Sequence, residues 1–353
     1  MALPFLGGRA RRTDQIVGID LGAHSAKAVH LQRRGDQVCL LGYALLESPP
    51  GAGEKNAEPP QQRLSKLLAV MGSRWKQVAL AVSAVDAILR PAELPMVPVN
   101  DMRTMLKFNA RNYLQQELTD CAFDCHILPP RPGVKTDLPR QGQKTRALVG
   151  AVKTSIVESS LAATRAAGLQ AEALVPELIC PVNAFESAMP EAFGRDAIAL
   201  VDLGFRHSSI CVLMDGELVL SRVVAIGGDR LTTGLAEALG TSYSEAEGIK
   251  VGLAHEVQAT IAPLLSPLAR ELRASVDFFE HQQDRTVSQV YVSGAAARSD
   301  YLLQSLQTDL MVPCAAWNPV ASLSPSLAAQ QMAALEQTAP MLTTAVGAAL
   351  SVI

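Results

Sequence analysis

One short pattern occurs twice in this chain of 353 residues, and it constrains the fold more than any other feature. Each copy has an apolar run, the triplet Asp-Leu-Gly, a short polar turn and a second apolar run, over residues 18–31 and 199–213. This order predicts a β-hairpin with an acid and a glycine at its tip. Because the backbone N–H groups of a tight turn form an anion-binding concavity, two such tips can close on a phosphate chain from opposite sides. We therefore expect two lobes with a phosphate-binding cleft between them.

The bulk properties are those of a globular chain with room for two or more domains. Hydrophobic residues make up 48%, charged residues 18%, and the net charge is −3, which gives no indication of a nucleic acid partner. No apolar run reaches the ~18–20 residues of a membrane-spanning helix. The arginines near the start follow a short apolar stretch, whereas a secretory signal peptide carries its charges first. We expect a cytoplasmic chain with a flexible segment over residues 1–15.

The six cysteines are scattered, and the closest two are Cys121 and Cys125, followed by His126. A single Cys-x3-Cys without a second ligand pair is a weak signal for a metal site. Buried free thiols in a reducing compartment are the expectation.

The two hairpin tips supply the first candidates for a binding site. Asp20 and Asp202 repel phosphate, but they suit a Mg²⁺ ion held through its water ligands, because that ion takes few carboxylates and several waters. Each turn taken alone would be an ordinary hairpin with a solvated acid, and it is the matched pair that favours phosphate binding. Donors to phosphate are expected from Gly22, Ala23, His24, Ser25, Lys27 and Gly204.

Two glycine-containing turns extend this list. Gly227-Gly228 stands between a predicted strand and a predicted helix, and a helix N-terminus can bind an anion, although a plain strand-to-helix turn would look the same. Gly294-Ala295 follows the predicted strand 288–293 and leaves room for a flat base, although ordinary α/β packing would also produce it.

Three charged residues complete the candidates. Glu247 and Lys250 lie one helical turn apart, which predicts either a surface ion pair or a carboxylate for ribose hydroxyls with a lysine stem over adenine. Glu177 precedes the helix that leads into the second half of the chain. It is a candidate for positioning a water molecule, and a structural role is an equal alternative.

Taken in order, these segments resemble the actin/Hsp70/sugar-kinase ATPase superfamily. Within it, residues 227–250 and 271–279 are similar to the FtsA/PilM branch, and residues 90–124 resemble a PilM-specific insertion. The resemblance implies an α/β actin-like ATPase fold with two lobes of RNase H-like mixed sheet, helices, and a small α+β subdomain inserted in the first lobe. The implied divisions are a flexible N-terminus 1–15, first-lobe core 16–89, inserted partner-binding subdomain 90–152, completion of the first lobe 153–196, second lobe 197–340 and connecting helix 341–353.

The resemblance also implies a function. Such proteins are cytoplasmic scaffolds that assemble a type IV pilus or a related secretion system, and they bind ATP or ADP with Mg²⁺ between the lobes. They capture the N-terminal tail of an inner-membrane PilN-like protein, associate with the membrane through it, and link it to the pilus motor ATPase. Asp20, Asp202 and Glu177 are the implied catalytic positions of an ATPase that is at most weak.

Three alternatives stay open. His24 replaces a serine of the usual first phosphate loop, and Ala295 replaces a glycine of the adenosine turn. The first alternative is therefore a pseudo-ATPase, in which the fold serves only as a binding platform. An FtsA-like cell-division protein predicts an amphipathic helix after a C-terminal linker, and the end of this sequence soon after residues 344–349 favours PilM. A sugar or metabolite kinase needs a base for the acceptor hydroxyl, and the first half shows no clear motif for one.

Overall fold

The computed structural model describes residues 13–48, 58–72, 74–129 and 144–353. Most of the expected flexible segment 1–15 therefore lies outside the described residues. Within these ranges, no helix combines the length and the apolar character that crossing a membrane requires.

The first lobe is built on a six-stranded mixed sheet. Its strands are β1 (Gln15–Leu21), β2 (Ser25–Arg34), β3 (Gln37–Glu47), β4 (Gln77–Val82), β8 (Gln170–Pro176) and β14 (Ser324–Pro325). The spatial order is β14-β3-β2-β1-β4-β8, with β1 antiparallel to β2 and parallel to β4. The central strand β1 is buried along its length, as expected of a strand covered on both faces. The helices of this lobe are α1 (Pro60–Met71), α3 (Thr154–Ala166), α4 (Cys180–Ala188), α5 (Pro190–Phe193), α10 (Ala329–Thr338) and α11 (Thr343–Leu350).

The second lobe repeats this plan with a five-stranded sheet. Its strands are β9 (Ala197–Leu203), β10 (Ser208–Met214), β11 (Glu217–Val224), β12 (Gln289–Ser293) and β13 (Cys314–Ala316), in the order β11-β10-β9-β12-β13. Its helices are α6 (Gly228–Leu239), α7 (Tyr243–Gly252), α8 (Gln258–Gln283) and α9 (Asp300–Leu310). In both lobes the antiparallel hairpin carries Asp-Leu-Gly at its turn, as the repeated pattern predicts.

A third, smaller sheet contains β5 (Ala87–Pro95), β6 (Cys121–Ile127) and β7 (Lys144–Lys153) in the order β5-β7-β6, all antiparallel. Helix α2 (Val99–Leu114) covers one face of this sheet and buries a stripe of residues four apart, which are Met102, Leu106, Ala110 and Leu114. We call this sheet with α2 the inserted unit. It contacts the second lobe, where Arg146 of β7 forms an ion pair with Glu217 of β11.

The two large sheets are joined through α4 and α11, which pack against each other and contribute to one apolar core with residues of both sheets. The backbones approach closely, and a Cβ added at Gly347 of α11 would overlap the carbonyl group of Cys180 in α4. Asn183 of α4 also donates to the carbonyl oxygen of Gly347 at 3.2 Å. The chain thus leaves the first lobe after α5, builds the second, and returns through α11.

Candidate functional site

A cleft of about 340 Å³ lies between the two Asp-Leu-Gly turns. This volume is within the range of roughly 300–1,000 Å³ that is typical of small-molecule sites. All but two of the candidate residues predicted from the sequence line this cleft. Those that line it are Asp20, Gly22, Ala23, His24, Ser25, Lys27, Glu177, Asp202, Gly204, Gly228, Glu247, Lys250 and Ala295. Gly227 and Gly294 do not line the cleft.

The first hairpin places Asp20 and Lys27 opposite each other on β1 and β2. The ammonium Nζ of Lys27 donates to Oδ2 of Asp20 at 2.9 Å, and both side chains are largely buried. Burial raises the pKa of Asp20, although the charge of Lys27 opposes that shift. Burial by itself would lower the pKa of Lys27, but the contact with Asp20 outweighs it and the pKa is raised. Lys27 is therefore a cation at neutral pH on the wall of the cleft.

The second hairpin places Asp202 beside Ser293, its register partner on the parallel strand β12. The hydroxyl of Ser293 donates to Oδ1 of Asp202 at 2.6 Å. Burial nevertheless raises the pKa of Asp202 to about 6. A buried carboxylate without a cation of its own is unfavourable when ionised, so a nearby positive ion would stabilise it.

The two aspartates fit a hydrated divalent cation. Oδ1 of Asp20 and Oδ2 of Asp202 make no hydrogen bond to any described residue, so each carboxylate keeps one oxygen for a water ligand of the ion. Across the described residues, no group of three or more His, Cys, Asp or Glu side chains is placed to hold a metal directly. Two carboxylates acting through water are the pattern that Mg²⁺ accepts.

Glu177 follows β8 and reaches the cleft from the first lobe. Its Oε2 accepts the backbone N–H of Ala84 at 2.8 Å and lies 3.4 Å from Nε2 of His207 on the second hairpin. Burial alone would raise the pKa of Glu177, yet the hydrogen bond from His207 and its charge lower it. The same hydrogen bond raises the pKa of His207. This pair crosses the cleft between the lobes.

The tips of the two hairpins also touch directly, because the ring of His24 stacks on that of Phe205 with centroids 4.5 Å apart. The sequence pattern predicts His24 as a site residue but neither Phe205 nor His207. Both stand in the turn of the second hairpin, so their position beside Gly204 was the available signal.

Another part of the cleft wall is formed by α6 and α7. Lys250 is buried, with 3% of its side chain exposed, and its Nζ donates to Oε2 of Glu247 at 2.6 Å and to the hydroxyl of Thr232 at 2.8 Å. Glu247 and Lys250 thus form the ion pair that their spacing predicts, but the ammonium of Lys250 is buried and not at the surface. Tyr243, which also lines the cleft, donates its hydroxyl to Asp229 at 3.0 Å.

The start of α6 differs from an open anion site. The backbone N–H groups of Gly228 and Asp229 donate to the carbonyl oxygens of Gly204 and Phe205, both at 2.9 Å. These two N–H groups brace the second hairpin tip and are not available to an anion. Gly227 caps the helix behind them.

The turn after β12 explains why Gly294 is absent from the wall. Gly294 has φ of +92°, and a Cβ there would overlap the carbonyl group of Leu203, so only glycine fits this position. Its neighbour Ala295 lines the cleft instead.

The cysteines form no metal site or disulfide. All six are free, and four of them are buried. Burial raises the pKa of Cys125 to about 12, so this thiol stays protonated. Burial is as expected for Cys39, Cys125, Cys180 and Cys211, whereas Cys121 and Cys314 are partly exposed.

Two lobes of mixed sheet, each with a hairpin tip turned toward the other across a central cleft, define a protein of the actin-like ATPase fold. The sequence profile of the family described as type IV pilus assembly protein PilM matches residues 18–353. The chain therefore belongs to the PilM family, which confirms the resemblance and the fold class expected from the sequence.

Solved structures show the same fold. The chain is similar to a protein of the PilM–PilN type IV pilus biogenesis complex, with 24% identity and a TM-score of 0.81 over 97% of this chain and 99% of that one. It is also similar to the ethanolamine utilization protein EutJ from Carboxydothermus hydrogenoformans, with 18% identity and a TM-score of 0.54 over 95% of this chain and 88% of that one.

Curated relatives are cell division proteins. FtsA from Streptococcus pneumoniae is 19% identical over 314 residues, or 83% of this chain, and FtsA from Bacillus subtilis is 33% identical over 75 residues, or 21% of this chain. The chain spans 66% and 17% of the length of these two relatives.

Proposed function

We propose that this chain is a nucleotide-binding scaffold of type IV pilus assembly, which binds ATP or ADP with Mg²⁺ between its lobes and a partner tail near its inserted unit. The observation that carries the proposal is the convergence of two hairpin tips, one lysine and two partly unpartnered carboxylates on a single cleft. Backbone donors and a cation suit phosphate, and paired carboxylates suit the hydrated metal that accompanies it.

Eight of the candidates have a proposed role toward the nucleotide. The turn around Gly22 and Gly204, together with Lys27, would bind the phosphates, and Asp20 and Asp202 would hold Mg²⁺ through water. When bound, Mg²⁺ supplies positive charge that offsets the repulsion between the phosphates and these acids. Where α6 and α7 line the cleft, Glu247 would accept ribose hydroxyls. The stem of Lys250 and the small side chain of Ala295 would border the base.

Turnover is proposed to be slow at most. Glu177 is the carboxylate best placed to orient a water, and its Oε2 is already engaged by Ala84 and His207. A binding role that does not require rapid hydrolysis is consistent with that arrangement.

The inserted unit is proposed as the partner-binding subdomain, within the expected limits 90–152. The similar solved protein is part of a complex with PilN. Large apolar side chains stand exposed on this unit, with Phe108 at 75%, Met96 at 54% and Ile127 at 45%. Phe108 is the most exposed of the three, and we take it as the side chain with which contact with the partner is tested. We propose that the N-terminal tail of an inner-membrane PilN-like protein binds here, which would keep the chain at the cytoplasmic face of the membrane and connect it to the motor ATPase.

Nucleotide binding is tested by thermal unfolding and titration calorimetry with Mg-ATP and Mg-ADP. A ligand that binds only the folded state raises the melting temperature by mass action. An upward shift with a measurable heat of binding is expected. No shift and no heat would instead support the pseudo-ATPase platform.

Partner binding is tested by co-purification with a synthetic PilN-like tail. Phe108→Ser should reduce capture of the tail. Phe278→Ser is the matched control, because Phe278 is also exposed, at 51%, but lies on α8 of the second lobe. Equal loss in both variants would contradict the location on the inserted unit.

A further inference from the structure

The second hairpin reaches the first lobe through two side chains of its tip. Phe205 stacks on His24, and His207 lies against Glu177. The tip itself is held from behind, since its carbonyl oxygens at Gly204 and Phe205 accept the first N–H groups of α6. A ligand between the hairpins must therefore share this space with the His207–Glu177 pair.

The two partners of that pair are not equally fixed. Oε2 of Glu177 accepts the N–H of Ala84 at 2.8 Å, an ordinary hydrogen bond within its own lobe. The contact from Nε2 of His207 is 3.4 Å, at the long end for a hydrogen bond. Oε1 of Glu177 has no hydrogen-bond partner among the described residues. Glu177 is thus anchored without His207, and His207 loses little if it changes its acceptor.

Acids near the pair raise the pKa of His207 and so favour its cationic form. Asp20, Asp202 and Glu177 are the acids of this end of the cleft, and each contributes to the raised pKa of His207 or Lys27. Lys27 gives one N–H donor of its ammonium to Asp20 in a 2.9 Å ion pair. The Nε2 of His207 faces the same space with the longer contact, so it is a donor ready for a new anionic acceptor.

We propose that His207 distinguishes a nucleoside triphosphate from a diphosphate in this cleft, donating Nε2–H to the terminal phosphate of the triphosphate and to Glu177 when that phosphate is absent. The inference rests on the proposed function, namely that a nucleotide binds between the hairpins. Because Glu177 belongs to the first lobe and His207 to the second, the exchange of acceptor removes one contact between the lobes. The terminal phosphate is thereby linked to how the lobes are held together, without hydrolysis.

The test is calorimetric titration of the full chain with Mg-ADP and with the magnesium complex of AMPPNP, a triphosphate analogue that resists hydrolysis. His207→Phe keeps a ring but removes the donor. It should weaken AMPPNP binding about tenfold or more, which is the usual effect of losing a hydrogen bond to a charged group, and leave ADP binding within about twofold. His207→Gln restores a neutral N–H donor and should recover most of the lost affinity.

Glu177→Gln should have the opposite effect on AMPPNP binding. Removing the competing carboxylate should strengthen AMPPNP binding about threefold or more relative to ADP, because one hydrogen bond to a charged group is no longer competed for. His255→Gln serves as the control, since His255 is an exposed residue that contacts the ring of Tyr301 outside the cleft.

The outcomes separate this inference from the proposed function. If the wild-type chain binds neither nucleotide, the proposed function itself fails. If the wild type binds both, and His207→Phe weakens both equally or neither, the role of His207 is overturned while nucleotide binding stands. If His207→Phe does not fold, Glu177→Gln decides, because a gain in AMPPNP preference supports the inference and no gain overturns it.

Discussion

The ring of His24 lies on the ring of Phe205 with its plane inclined by only 12° and its centroid 4.5 Å away. His24 belongs to the first hairpin and Phe205 to the second, so this stack joins the tips of two hairpins from different sheets. The two lobes are thereby in direct contact at the hairpin tips as well as through α4 and α11.

Phe205→Leu should lower the free energy of unfolding by about 1 kcal/mol, because a stacked aromatic pair contributes roughly 0.5–1.5 kcal/mol beyond its buried area. The measurement is urea unfolding of the wild type, Phe205→Leu, His24→Ser and the double variant. A coupling energy of about 1 kcal/mol between the two positions is expected. Strictly additive effects would show that the two rings do not stabilise each other.

Asp202→Asn should change how stability depends on pH in the absence of nucleotide and Mg²⁺. Burial raises the pKa of Asp202 from 3.8 to about 6, so between these values the unfolded chain has already released a proton that the folded chain retains. The contribution of Asp202 to the free energy of unfolding therefore falls as pH rises. From pH 4 to pH 7 the wild type should lose about 2 kcal/mol relative to Asp202→Asn. Chemical denaturation of both proteins across this range checks the sign, and parallel curves would contradict it.

Arg103→Ala should destabilise the inserted unit. Arg103 of α2 donates from Nε to Oδ1 of Asp124 on β6 at 2.8 Å, and the Asp124 side chain is only 2% exposed. Oδ2 of Asp124 has no hydrogen-bond partner in the described structure, so this acid depends on few contacts. Leaving a buried charge unpaired costs about 3–5 kcal/mol.

The matched control for Arg103 is Arg111→Ala, on the same helix. Arg111 pairs with Glu117 at 3.2 Å, but both side chains are about three-quarters exposed. An exposed pair of this kind contributes roughly 0–1 kcal/mol. In urea unfolding, Arg103→Ala should therefore lower the free energy of unfolding several times more than Arg111→Ala does. Similar losses in both variants would mean that Asp124 does not need its arginine.

Gly347→Ala should destabilise the junction between the lobes. The added Cβ would overlap backbone atoms of Cys180, which cannot move aside as a side chain can, so a loss of about 1–3 kcal/mol is expected. Gly248→Ala is the control, because Gly248 lies in α7 with nothing within 4 Å of an added Cβ. That substitution should stabilise the helix by up to about 1 kcal/mol. Thermal melts of both variants test the contrast in sign.

The sequence was sufficient for the features that local pattern specifies. The hairpins at Asp20 and Asp202, the turn at Gly294 and the cleft position of most candidates followed from residues that are neighbours in the chain or from the family resemblance. These signals depend on turn chemistry and alternation, which a short window contains.

The contacts across the cleft could not be predicted in the same way. The pairing of Glu177 with His207, and the stack of His24 on Phe205, depend on how closely the two lobes approach, which no local pattern encodes. The burial of Lys250 was also hidden, because a Glu-Lys pair one turn apart has the same spacing on an exposed helix and under another element. Short strands such as β13 and β14 likewise exist only because a neighbouring sheet edge accepts them.

The return of the chain through α11 has a consequence for synthesis. The first lobe begins at β1, yet β14 and α11, which complete its sheet edge and its contact with α4, come more than 300 residues later. A nascent chain that has left the ribosome only as far as α5 therefore holds most of the first sheet without the helix that covers β1. We expect the second lobe to be able to fold first during translation. The first lobe is completed only when residues 343–350 emerge. Until then, ribosome-associated chaperones would meet the exposed face of β1.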